Sequence, residues 1–133
     1  MRTRKPKAQP VRVLIADDHR LFAEALEAIL ATDERIEVIG QASDGGAAVE
    51  LAKRLAPDVV LMDVSMPVLD GFEATREIRA TSDDTHVLML TGSNSQADVD
   101  RSREVGASGY VTKDRIASEL VAAIVEVARR RLP

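Results

Sequence analysis

Five times along this chain a short run rich in β-branched and other apolar residues gives way to a segment whose apolar residues recur at helical spacing. Val11–Ala16, Ile36–Ile39, Val59–Met62, His86–Leu90 and Gly109–Thr112 read as strands. β-Branched residues and turn signals bound the runs, and the third shows no alternation, as in a strand covered on both faces. Between them, Leu21, Phe22, Ala25, Leu26, Ile29 and Leu30 mark one helical face, and Ala48, Leu51, Ala52 and Leu55 a second. The second helix opens at Ser43/Asp44 and stops before Pro57, and a third runs from Phe72 to Ala80. A polar fourth spans 95–105 and ends at Gly106, and a last spans 116–131 with Ile116, Leu120, Ile124 and Val127 aligned. Five β-α units in a row call for an α/β fold with a parallel sheet, helices on both faces and right-handed crossovers.

Composition narrows the chemistry. The chain has 133 residues, one domain's worth, and no Cys, which excludes a disulfide scaffold, a thiolate nucleophile and thiolate-bound metals. Its three aromatics are Phe22, Phe72 and Tyr110, so the core is aliphatic. Arg2, Arg4, Lys5 and Lys7 stand in a Pro-containing segment, 1–10, that reads as a flexible basic tail. The rest carries 14 basic against 22 acidic residues, a poor balance for binding nucleic acid by itself. No run is long enough to span a bilayer or serve as an export signal, so the expected location is the cytoplasm.

In open parallel sheets ligands gather beyond the carboxyl ends of the strands. There the sequence places Asp17 and Asp18 after strand one, Asp63 after strand three, Thr91 after strand four and Lys113 after strand five. Three converging carboxylates need a hard divalent cation, and Mg²⁺ favours a few carboxylates together with water and phosphate oxygens. Adding a compact ammonium and a hydroxyl donor makes a cradle for a phosphoryl group, whose transfer depends on positioning and charge neutralisation. Without Cys, the nucleophile would be a carboxylate forming an aspartyl phosphate. Each piece alone has a plainer role: Asp17/Asp18 as a helix cap, Asp63 as a turn residue, Thr91 as a cap, Lys113 as a solvated charge, Tyr110 as a half-buried strand residue. His19 reads as a helix-start residue rather than a phosphocarrier, His86 has no evident partner, and Asp70-Gly71 reads as the turn opening the third helix.

Val13-Leu-Ile-Ala-Asp-Asp-His19, Val60-Leu-Met-Asp-Val-Ser-Met-Pro-Val-Leu-Asp-Gly71, Leu88-Met-Leu-Thr91 and Gly106-Ala-Ser-Gly-Tyr-Val-Thr-Lys113 together resemble the receiver domain of bacterial two-component response regulators. Asp-Asp-His and Gly-Ala-Ser-Gly-Tyr further resemble the NarL/FixJ branch, and the similarity covers about residues 11–131. The resemblance implies a CheY-like, flavodoxin-like (βα)5 doubly wound sheet with strand order 2-1-3-4-5. It implies phosphorylation of Asp63 by a sensor histidine kinase or phosphotransfer protein. It implies Mg²⁺ held by Asp18, Asp63 and the backbone carbonyl of Ser65, with Asp17 acting through a water. Lys113 and Thr91 would bind phosphoryl oxygens. Movement of Thr91 with inward rotation of Tyr110 would reshape the face of helix four, strand five and helix five, toward a downstream protein, an output domain or a phosphorylation-dependent homodimer. Such a domain is no enzyme beyond catalysing its own phosphorylation and dephosphorylation.

The fourth helix departs from that pattern. Asp100 and Arg103 stand where aliphatic residues are common, leaving Val99 and Val105 as anchors and arguing against an apolar dimer patch there. NarL-type receivers also continue into a helix-turn-helix output domain, for which 133 residues leave no room. Three functions follow: a stand-alone phosphoacceptor in a phosphorelay; the regulatory part of a LuxR/NarL-type DNA-binding regulator; and a Mg²⁺-dependent phosphohydrolase with an Asp nucleophile. The last is disfavoured, because haloacid-dehalogenase-like hydrolases place the nucleophile after strand one.

Overall fold

The computed structural model describes residues 9–92 and 95–130. Residues 1–8 of the basic tail, and Arg131 at the end of the expected last helix, lie outside them. Five strands, β1 (Val11–Ala16), β2 (Ile36–Ala42), β3 (Val59–Asp63), β4 (His86–Thr91) and β5 (Gly109–Thr112), alternate with five helices. The helices are α1 (Arg20–Leu30), α2 (Gly45–Leu55), α3 (Gly71–Thr81), α4 (Gln96–Glu104) and α5 (Ile116–Ala128). All strand pairs are parallel, in the order β2-β1-β3-β4-β5. Strand order reverses beside β1, which puts the carboxyl ends of β1 and β3 next to each other, where such sheets bind ligands.

Side chains alternate across the sheet, as a period of two requires. Val13, Ile15, Val59, Leu61, Leu88, Leu90 and Val111 face one way, under Ala23, Leu26 and Leu30 of α1 and Ile116, Leu120, Ile124 and Val127 of α5. Leu14, Ala16, Val60, Met62, Val87 and Met89 face the other, under Ala48, Val49 and Ala52 of α2 and Phe72, Ala74 and Ile78 of α3. β3 and β4 are buried along their whole length, which explains their unalternating apolar runs. No helix among the described residues is long and apolar enough to cross a membrane.

Several expectations shift. β2 does not stop at Gly40 but continues to Ala42 through a register break opposite Val13/Leu14. Gly40 is small because Leu55 and Leu14 crowd it, with side-chain carbons 3.3 and 3.4 Å from where a Cβ would sit. α5 ends at Ala128 and is preceded by a 3-10 turn over Lys113–Arg115, so Lys113 leaves the sheet before the helix begins. On α1 the expected face is too wide: Leu21 is 81% and Ile29 41% exposed, while Ala23, Leu26 and Leu30 are buried. A helix lying on a sheet covers only the stripe that touches it, and the apolar residues of α1 span more than that. α4 is anchored by Val105 and Ser102, both buried, while Val99 is half-buried.

Local caps follow the sequence closely. Asp44 accepts a hydrogen bond from Ala47 N–H at 2.7 Å and Asp70 from Glu73 N–H at 2.9 Å, opening α2 and α3. α4 is capped by Ser95, which accepts from Asp98 N–H at 3.3 Å, rather than by Thr91. His86 has partners after all: Nδ1 lies 2.6 Å from Ser108 Oγ and Nε2 2.9 Å from the carbonyl oxygen of Arg130. The ring therefore ties the segment after α5 to the start of β4 and to Ser108 just before β5.

Candidate functional site

The loops after β1 and β3 are fixed by backbone contacts. Asp17 N–H donates to Ala42 O at 3.0 Å, which seats the first acid at the end of β1. After β3, Gly71 N–H donates to Val64 O at 2.9 Å, and a Cβ on Gly71 would come within 2.1 Å of Asp63 O. Gly71 is therefore required by the close approach of α3 to the end of β3. That approach folds the segment between them, which carries Val68 at φ 71, back over α2.

Asp17 and Asp63 are buried, at 2% and 4% exposure, whereas Asp18 is exposed. Lys113 reaches between the two buried carboxylates, its Nζ 3.2 Å from Asp63 Oδ1 and 3.6 Å from Asp17 Oδ2. One ligand atom from each of Asp17, Asp18, His19 and Asp63 lies within 4.8 Å of the others. Asp17 Oδ1 accepts from His19 N–H at 2.8 Å, so the first acid does brace the start of α1. Its Oδ2 is buried without a hydrogen-bond partner. An orphaned buried carboxylate oxygen beside two further carboxylates is a hard-oxygen set that fits Mg²⁺.

Burial pushes the Asp63 carboxyl above the ordinary carboxylate range, and the negative charge of Asp17 adds to it. The Lys113 ammonium and a hydrogen bond from Ser65 N–H pull it back without reversing the direction. Thr91, buried at the end of β4, shares a hydrogen bond with Tyr110, which is half-buried on β5. Burial raises the Tyr110 phenol above its usual value, the Thr91 hydrogen bond lowers it, and the charge of Asp98 on α4 raises it.

Residues 13–125 match the family model described as the response regulator receiver domain. The chain belongs to that family. The transcriptional regulatory protein DegU of Brevibacillus brevis is 40% identical over 119 residues, covering 90% of this chain and 50% of DegU. The probable transcriptional regulatory protein NarL of Mycobacterium tuberculosis is 36% identical over 126 residues, covering 95% of this chain and 58% of the relative. The chain thus spans about half the length of these curated relatives. Among solved structures, the signal receiver domain of the putative response regulator NarL from M. tuberculosis matches with a TM-score of 0.88 at 36% identity. That match covers 93% of this chain and all (100%) of the other. A LuxR-family response regulator from Aurantimonas sp. SI85-9A1 also gives 0.88 at 34% identity, covering 93% of this chain and 89% of the other. These similarities make it a NarL/FixJ-type receiver domain, a signalling module rather than an enzyme in the usual sense.

In this receiver domain the expected acids and Lys113 converge, and the Thr91–Tyr110 pair sits on the neighbouring strands. His19 is the helix-start residue expected of it, at the N-cap of α1, but its side chain also joins the acids, and Phe22 is a site neighbour that the sequence did not indicate. His19 places Nδ1 3.3 Å from Asp18 and 3.4 Å from Asp17, and Phe22 lies under the Lys113 ammonium. The adjacency of His19 to the acid pair was a signal for the first. For the second, Phe22 showed only a helical-face position. Gly92, next to Thr91, has open space at its Cβ position.

Proposed function

We propose that Asp63 accepts a phosphoryl group from the phosphohistidine of a sensor histidine kinase or phosphotransfer protein in the cytoplasm. The carrying observation is the Lys113 ammonium held between buried Asp63 and buried Asp17 at the strand ends. An Asp63 Oδ attacks phosphorus while the P–N bond breaks, its electron pair passing to the donor's ring nitrogen. Asp17, Asp18, Asp63 and the backbone carbonyl of Ser65 would hold Mg²⁺, which when bound supplies positive charge to the phosphoryl oxygens. Lys113 supplies a second positive charge at the same place, and Thr91 a hydroxyl proton.

The Thr91 hydroxyl has one proton to donate, and Thr91 shares a hydrogen bond with Tyr110. Turning that proton toward a phosphoryl group on Asp63 reorganises the Thr91–Tyr110 pair and, through Asp98, the start of α4. Phosphorylation adds about −1.5 to −2 charge and strong acceptors to the pocket, which supplies the bias. The readout surface is then α4, β5 and α5. With Asp100 and Arg103 exposed on α4, that surface favours polar recognition over an apolar homodimer.

The names and lengths of the relatives favour one second reading. They are transcriptional regulators of which this chain spans about half, so the domain would regulate a DNA-binding output. The reading frame beyond Pro133 decides between that and a stand-alone phosphoacceptor: a helix-turn-helix sequence there supports the former. For the phosphoacceptor itself, acetyl phosphate with Mg²⁺ is expected to add one phosphate to the wild type and none to Asp63→Asn, read by intact mass. Phosphate retained on Asp63→Asn would reject the assignment.

A further inference from the structure

The pocket asks something unusual of Lys113. Its ammonium sits on a flexible four-carbon stem, 26% of the side chain is exposed, and its two carboxylate partners are the groups the reaction changes. Once Asp63 becomes an acyl phosphate and Asp17 is committed to a divalent cation, neither carboxylate holds the ammonium as before. One contact does not change. Lys113 Nζ stands 4.6 Å from the centroid of the Phe22 ring, within cation–π reach. That ring is itself held in place: Phe22 is half-buried in the first turn of α1 and packs against the core between α1, α5 and the sheet. Lys113 opens the 3-10 turn that follows β5, so it stands off the end of the sheet.

We propose that Phe22 is a positioning residue for Lys113, keeping the ammonium at the pocket while Asp63 is phosphorylated and Asp17 turns to the cation. The ring carries no formal charge and does not titrate, so it holds the cation in the resting and phosphorylated states alike. An aliphatic residue would fill the same space without attracting the charge. The proposal rests on the phosphoacceptor reading for its consequence, but the contact itself can be measured without any ligand.

The test has two arms. In the protein alone, the Lys113 Cε methylene protons should be shifted upfield by the Phe22 ring current and return to ordinary lysine positions in Phe22→Leu. With Mg²⁺ and beryllofluoride, affinity should fall stepwise as Phe22 is replaced by mono-, di- and trifluorophenylalanine, which keep the shape and drain the ring's negative face. The series should end about tenfold weaker, the order expected of a partly desolvated cation–π contact. Phe22→Trp should retain binding. Equal affinity across the fluorinated series, or an unshifted Lys113 methylene in the wild type, would overturn the proposal. Beryllofluoride binding that is equally tight in Asp63→Asn would instead overturn the phosphoacceptor reading and leave the ring-current result standing.

Discussion

At the scale of single residues, the pocket is a charge problem only partly solved by Lys113. Asp63 binds its proton more tightly in the folded chain than in the unfolded one, because burial and Asp17 raise it. Stability linked to Asp63 is therefore fully present below the ordinary carboxylate range and lost as pH rises through the raised value. Asp63→Asn removes that loss. Its melting temperature should exceed the wild type's at pH 7 without divalent cation, on the order of 4 °C for each 1 kcal/mol of repulsion relieved. The difference should shrink below pH 4 or so, where model carboxylates are protonated. Thermal melts at the two pH values check this, and a lower melting point for Asp63→Asn at pH 7 would count against it. Lys113→Ala should do the opposite, leaving two buried carboxylates facing each other. It should also weaken the amide-shift response to phosphorylation while leaving Mg²⁺ affinity largely intact, measurable by titration.

At the scale of elements, three positions carry conformations that no periodicity announces. Ala56 closes α2 at φ 47, Val68 sits in the β3–α3 connection at φ 71, and β2 carries an extra residue opposite Val13/Leu14. Val68 is β-branched and 84% exposed, so its left-handed backbone is strain with no burial to offset it. Val68→Gly should stabilise the fold by about 1 kcal/mol, read from urea denaturation midpoints. Gly71→Ala should destabilise by about 3 kcal/mol, since its methyl would meet Asp63 O. An intact midpoint there would mean that α3 can move away from β3 freely. His86 belongs to this scale too: alanine in its place removes the ring's contacts to half-buried Ser108 and to the carbonyl of Arg130 and should cost about 1 kcal/mol. The five strands and the caps at Asp44 and Asp70 were legible because they depend on short-range pattern. The strand bulge and the His86 partners were not, because they depend on residues far away in sequence, and the left-handed Ala56 and Val68 carry no glycine to mark them.

At the scale of the whole molecule, the acid surplus and the aliphatic core have separate explanations. The core is aliphatic because two thin layers of helix cover a central sheet whose strands present Val, Leu and Ile to one face and Val, Leu, Ala and Met to the other. Part of the surplus acid is gathered at the carboxyl ends of two neighbouring strands, β1 and β3, where Asp17, Asp18 and Asp63 converge. That convergence could be anticipated from the topology rule alone, because adjacent parallel strands must deliver their carboxyl ends to one place. Which face of α1 would be buried could not, because its apolar residues cover more than one stripe. Mg²⁺ should raise the melting temperature of the wild type, with about 2.7 kcal/mol gained at a hundredfold excess over the dissociation constant. The gain should fall sharply in Asp18→Asn, and an equal gain in both would place the cation elsewhere.

The site of modification can be read directly. Borohydride reduces an aspartyl phosphate to homoserine, so the chain treated with acetyl phosphate and Mg²⁺ and then reduced should carry homoserine at position 63 by peptide mass spectrometry. Homoserine at 17 or 18, or phosphate on His19 with Asp63 unchanged, would contradict the assignment of Asp63 as the phosphoacceptor.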